Sequence, residues 1–146
     1  MSSDATVGHE GEIFRIGNHD YVDKTEDLSP EAYRVLRLGQ TEPGGSGQYL
    51  YHEEPGEYRC VGCDTRLFSS ANKYDSGTGW PSFHTAGNGV TYHDDPLYGM
   101  KRLEVRCAGC DGHLGHVFDD LDSPTQKRYC INSICLIFVP GNTPAH

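Results

Sequence analysis

The sequence predicts a small, mainly β domain in which two antiparallel sheets pack together, with short N-terminal helices and a structural zinc site. Three observations lead there. From Gln48 onward, short aromatic and β-branched runs alternate with turn residues, the texture of antiparallel strands. Before Gln48 there is one clear helix start and little other periodicity. Two Cys-x-x-Cys pairs each follow directly on a strand-like run, as metal knuckles do. Eighteen glycines and eight prolines in 146 residues, only 36% of them hydrophobic, leave room for one core of modest volume. A thin core of this kind needs a staple.

Taken in chain order, residues 1–27 read as an N-terminal arm, its first seven residues disordered and 12–27 extended; residues 28–146 read as a single domain. Ser29 is placed to cap a helix whose first residue is Pro30, and Ala32, Val35 and Leu36 share one apolar face. Pro43-Gly44-Gly45-Ser46-Gly47 ends any helix. Strands are expected at 56–59, 65–68, 89–93, 102–106, 116–119 and 128–139.

Charge excludes several functions. A net charge of −9 with no basic cluster rules against a nucleic-acid partner, which requires a concentrated basic surface. The opening residues lack the apolar or Arg-rich character of a signal or transit peptide. The longest apolar run, 134–139, is too short to span a bilayer. The expectation is a cytoplasmic protein without membrane contact, its six cysteines held as thiols or metal ligands rather than disulfides.

The pairs Cys60-Val61-Gly62-Cys63 and Cys107-Ala108-Gly109-Cys110 are 43 residues apart and carry Gly at the same third position. Each turn aims two thiolates and nearby backbone N–H groups at one point. Two such turns complete a tetrahedron of four sulfurs, a closed site that suits one structural Zn²⁺. The ion would close a long loop and so compensate for the thin core.

Cys130 and Cys135 are left over. In an unbroken strand Arg128, Cys130 and Asn132 share one face, while Ile131, Ser133, Cys135 and Ile137 share the other. Cys130 thus lies between a cation and an amide, as a nucleophile needs: the cation favours the thiolate and the amide can bond a polar substrate atom. Cys135, within an apolar run, reads as a small core residue. His113 and His116 follow the second knuckle closely. They fit general acids, hydrogen-bonded core residues or a second metal site, and the local sequence leaves these open. Trp80 is the only tryptophan; glycines before it and a proline after it make an exposed aromatic wall plausible, one suited to a methyl or thioether group.

In this order, Gly79-Trp80-Pro81-Ser82-Phe83, Leu103-Glu104-Val105-Arg106, His113-Leu114-Gly115-His116-Val117-Phe118 and Arg128-Tyr129-Cys130-Ile131-Asn132-Ser133 resemble the B-type methionine-R-sulfoxide reductases in their zinc-containing form. The resemblance extends upstream through Thr41-Glu42, Gly56-Glu57-Tyr58 and Leu67-Phe68. It implies reduction of methionine-R-sulfoxide, with peptide-bound substrate preferred. Cys130 would be the nucleophile that becomes a sulfenic acid, His113 and His116 would bind the sulfoxide and assist proton transfer, and Asn132 would orient the polar end of the substrate. Trp80 would receive the methyl group with Phe83 and Arg128 nearby, and Cys60, Cys63, Cys107 and Cys110 would hold the zinc. Many members carry a resolving cysteine where this chain has Thr78. A hydroxyl cannot form a disulfide, so recycling would fall to an external thiol such as thioredoxin or glutathione. Three other readings compete: a zinc-stabilised binding module without catalysis, a zinc ribbon contacting nucleic acid or protein, and a general thiol oxidoreductase using a free Cys-x-x-Cys.

Overall fold

The computed structural model describes residues 28–96, 99 and 101–141, together with the backbone of 12–16 and 19–23. The disorder expected of the first seven residues lies outside them. β1 (Glu12–Ile16) and β2 (His19–Asp23) pair as an antiparallel hairpin. One α-helix follows, α1 (Pro30–Leu36). Ser29 caps it by accepting the Ala32 N–H at 3.1 Å, satisfying one of the donors that a helix start leaves open. Its Ala32, Val35 and Leu36 are buried.

The remaining strands are β3 (Gly56–Cys60), β4 (Arg66–Ser69), β5 (Lys73–Tyr74), β6 (Ser82–Phe83), β7 (Val90–Asp94), β8 (Leu103–Cys107), β9 (His113–Asp119), β10 (Lys127–Ile131) and β11 (Leu136–Pro140). They form a six-stranded sheet in the order β5-β6-β10-β9-β8-β7 and a three-stranded sheet in the order β11-β3-β4. Every pairing is antiparallel. The two sheets meet through aromatic side chains. Phe68 of β4 stacks on Phe83 of β6 with ring centroids 4.3 Å apart, and Tyr58 of β3 meets Phe83 edge-on at 5.4 Å. All three are fully buried. Rings of this size contribute much of the area a thin core must hide.

β1, β2, β5 and β6 lie outside the expected strands, and two further features depart from them. Residues 128–139 are not one strand. β10 ends at Ile131, a single 3-10 turn covers Ser133–Cys135, and β11 then joins the other sheet. The Glu42 carboxylate accepts the Ser133 and Ile134 N–H groups, which takes them out of any ladder. Cys135 is fully buried as expected, but the turn sets its orientation rather than strand parity. Second, β9 begins at His113, and its pairing with β8 slips between Val105 and Arg106: Gly115 faces Val105 while His113 faces Arg106. One extra residue, Leu114, is thereby accommodated on β9. Such a bulge shifts the alternation of side chains, and the His113 and His116 rings end up 5.4 Å apart.

Candidate active site

Cys130 sits on β10 with His116 of β9 opposite it on one side and Ser82 of β6 on the other. It opens into a cleft of about 200 Å³ that is also lined by Trp80, Thr78, His116, Phe118, Arg128 and Asn132. The sulfur is surrounded by donors. Arg128 Nη1 donates to Sγ at 3.2 Å, and the Thr78 and Ser82 hydroxyls lie 3.6 and 3.8 Å from it. Ser76 bridges those two hydroxyls at 2.8 and 2.6 Å. Arg128 is itself fixed, by Asp120 at 3.3 Å and by the Phe118 ring 4.8 Å beneath its guanidinium. A cation held this way loses little freedom when it serves the sulfur.

Each histidine has its own carboxylate. His113 Nδ1 is 2.7 Å from Glu104, and His116 Nε2 is 2.7 Å from Asp95. Burial pulls the His116 pKa below its ordinary value, while Asp95 opposes that pull. The bond from His116, with Arg102 behind it, holds Asp95 below the usual carboxylate range. Burial pushes Glu104 up, but its bonds to His113 and Arg106 together keep it low. The other ring nitrogen of His113, Nε2, is buried and has no hydrogen-bond partner among the described residues. A buried polar atom of this kind costs stability unless something bonds it.

The Trp80 indole N–H donates to the Glu42 carbonyl at 3.1 Å. Gly44 lies against the ring so closely that a Cβ there would sit 3.3 Å from it. Asn132 is buried. Its amide oxygen accepts the Glu42 N–H at 3.0 Å and its amide nitrogen donates to the Leu114 carbonyl at 2.9 Å. Phe83, expected beside the substrate, is instead in the inter-sheet core. Alternation along β6 explains this: Ser82 pairs with Cys130 and takes its face, so Phe83 points the other way. Burial pushes the Cys135 thiol up, and its sulfur is tied to the His113 carbonyl at 3.3 Å.

Away from the cleft, the sulfurs of Cys60, Cys63, Cys107 and Cys110 all lie within 4.8 Å of one another, with Cys60–Cys110 at 3.7 Å and Cys63–Cys107 at 3.4 Å. Four thiolates about 2.3 Å from one ion stand about 3.8 Å apart, so the set fits a tetrahedral metal. The Gly62 and Gly109 N–H groups point at Cys60 and Cys107 sulfur, each at 3.3 Å. Leu36 of α1 covers both knuckles, since a Cβ at Gly62 or Gly112 would approach it to 2.5 Å.

The SelR domain family matches residues 28–140. The chain belongs to the B-type methionine-R-sulfoxide reductase family. It is 55% identical over 115 residues to the peptide methionine sulfoxide reductase of Thioalkalivibrio sulfidiphilus, covering 77% of this chain and 84% of that protein. It is 48% identical over 124 residues to the corresponding protein of Methanosarcina mazei, covering 80% and 89%. It is also 48% identical over 118 residues to the mitochondrial methionine-R-sulfoxide reductase B3 of Mus musculus, covering 80% of this chain and 47% of that one.

In this methionine-R-sulfoxide reductase fold the structure gathers Cys130, His116, Arg128, Asn132 and Trp80 at one cleft, with His113 buried beside His116. Sequence reading missed the acids behind them. Asp95, Glu104 and Asp120 each hold one functional side chain, and Ser76 and Ser82 extend the hydroxyls around the sulfur. Asp95 and Glu104 pair with their histidines across strand ends, so no local spacing marks them. Among the described residues no helix is long and apolar enough to cross a membrane.

Proposed function

We propose that this chain reduces methionine-R-sulfoxide in oxidised proteins and peptides to methionine, using Cys130 as nucleophile and an external thiol as reductant. The observation that carries the proposal is the donor-ringed Cys130 sulfur sharing a cleft with the Asp95-held His116 and the Trp80 wall, with His113 buried behind. As the Cys130 thiolate attacks the sulfoxide sulfur, the S–O bond breaks and the oxygen takes up a proton from the His113–His116 side. With a second proton the oxygen leaves as water and the two sulfurs are joined. Water then attacks the Cys130 sulfur, breaking that S–S bond to release methionine and a proton and leave a Cys130 sulfenic acid. Arg128 balances the charge at the sulfur, Asn132 orients the polar end of the substrate, and Trp80 receives the methyl group. Asymmetric placement of the aromatic wall and the proton donors would select one epimer, and the family to which the chain belongs acts on R. One reductant thiol then forms a mixed disulfide with Cys130, releasing water, and a second thiol frees Cys130 as the reductant disulfide leaves. Thioredoxin is the natural candidate.

Cys60, Cys63, Cys107 and Cys110 would hold Zn²⁺, which supplies a structural cross-link. All six cysteines are unpaired, which suits a reducing cytoplasm.

The deciding experiment supplies dithiothreitol and the separated R and S epimers of a dabsylated methionine sulfoxide. Turnover of R alone is expected; reduction of neither epimer by metal-loaded protein rejects the proposal. The recycling route has its own test. After one turnover without reductant, mass spectrometry should find the added oxygen on Cys130, because Thr78 offers no thiol and Cys135 is buried on other contacts. A Cys130–Cys135 disulfide would reverse that conclusion.

Asp95 sets a pH dependence. Its carboxylate favours the protonated imidazole of His116 against burial, so Asp95→Asn makes His116 give up its proton at lower pH. If His116 supplies the proton for the departing oxygen, the alkaline limb of the kcat/KM profile moves to lower pH. A loss on the order of tenfold is expected at the alkaline end, with little change at the acid end. A profile superimposable on that of the parent removes Asp95 from the mechanism.

A further inference from the structure

The geometry points to Glu42 as a positioning residue that sets the distance between the Trp80 wall and the nucleophile strand, and so sets substrate affinity. This rests on the function proposed above. Glu42 is the only acidic residue buried among the described residues. Its Oε2 accepts the Ser133 N–H at 2.9 Å and its Oε1 the Ile134 N–H at 3.0 Å, immediately after the strand that carries Cys130. Its own N–H is held by the Asn132 amide at 3.0 Å. Its carbonyl accepts the Trp80 indole at 3.1 Å. One residue therefore joins the substrate wall to the segment two residues beyond the nucleophile. The next residues complete the clamp: Gly45 N–H donates to the Gly79 carbonyl at 2.8 Å, and Gly44 lies against the indole ring.

A buried carboxylate is a costly way to close a turn. Taking it out of water opposes folding until its partners offset that, and burial does push its pKa above the ordinary carboxylate value. A neutral cap would satisfy one of the two N–H groups with less desolvation. What the carboxylate adds is two acceptors on one rigid head, which fixes the Thr41–Gly45 strap in both position and tilt. Trp80 hangs from that strap by its only polar atom.

The test uses Glu42→Gln and Gly44→Ala in the metal-loaded full chain. Glutamine keeps the shape of Glu42 but turns one acceptor into a donor facing an N–H. Alanine at Gly44 leaves the carboxylate intact and presses on the indole, so it keeps the test open if the first variant does not fold. Trp80 is the only tryptophan, so its emission reports directly on the wall. Each variant is expected to red-shift that emission, to raise acrylamide quenching, and to raise KM for an R-sulfoxide peptide on the order of tenfold with a smaller fall in kcat. Alkylation of Cys130 by iodoacetamide should be unchanged. Because Glu42 acts through Trp80, adding Glu42→Gln to Trp80→Phe should cost little more than Trp80→Phe alone. Lowered thermal stability with Trp80 emission and KM at parental values would show that Glu42 only closes the turn, and the inference would fall. Turnover by the parent protein tests the proposed reaction separately, and the emission measurement decides the role of Glu42 even if that reaction fails.

Discussion

Cys130→Ser is expected to abolish sulfoxide reduction, with kcat lowered by at least about 10³-fold, while the fold and the cleft persist. Serine fits the space, and the Arg128, Thr78 and Ser82 contacts around the atom can be kept. Its hydroxyl, however, cannot take the oxygen from a sulfoxide sulfur through the thiol chemistry that leads to a sulfenic acid. Cys135→Ser should leave turnover close to parental, since Cys135 is fully buried and bonded to the His113 carbonyl. Steady-state assay with dithiothreitol, alongside circular dichroism to confirm folding, separates the two. Residual activity in Cys130→Ser above about one per cent of parental would move the nucleophile elsewhere.

The second large effect is on stability. Cys60 ends β3 and Cys107 ends β8, so the four-sulfur cluster joins the three-stranded sheet to the six-stranded one. Structural zinc contributes about 10 kcal/mol or more of apparent binding energy that is also folding energy, against a total stability of about 5–15 kcal/mol for a domain. Stripping the metal with a strong chelator, or Cys63→Ser, should therefore lower the melting temperature by about 15 °C or more. Released zinc, measured with a colorimetric chelator, should approach one ion per chain. A chelated protein that melts with its parent would show that the sulfurs are not holding a metal that matters to the fold.

Much of this architecture was legible in the chain. The knuckles were plain because ligand spacing is imposed by coordination geometry, not by context. Cys130 and Arg128 were sorted onto one face by strand parity alone, and the structure keeps them there at 3.2 Å. What escaped was set by distant partners. The apolar run 134–139 reads as a continuing strand, and the group that breaks it is Glu42, more than ninety residues away for each of its bonds. The family resemblance implies Phe83 beside Trp80, yet β6 is only two residues long and gives no visible alternation from which to place it. Asp95, Glu104 and Asp120 went unread because an acidic surface carboxylate and one that holds a side chain at the cleft look alike in a chain of net charge −9.

The extra residue at Leu114 lets one strand serve the core and the cleft together. In an unbroken strand residues three apart face opposite sides of a sheet, so without the bulge His113 and His116 would part. Removing Leu114 would leave the two histidines two residues apart and still on one side, while emptying a place in the core where its side chain is fully buried. The Leu114 carbonyl, which accepts both the Asn132 N–H and its side-chain amide, would be lost with it. A one-residue deletion at that position is therefore expected to be caught by a screen for folding before a screen for activity.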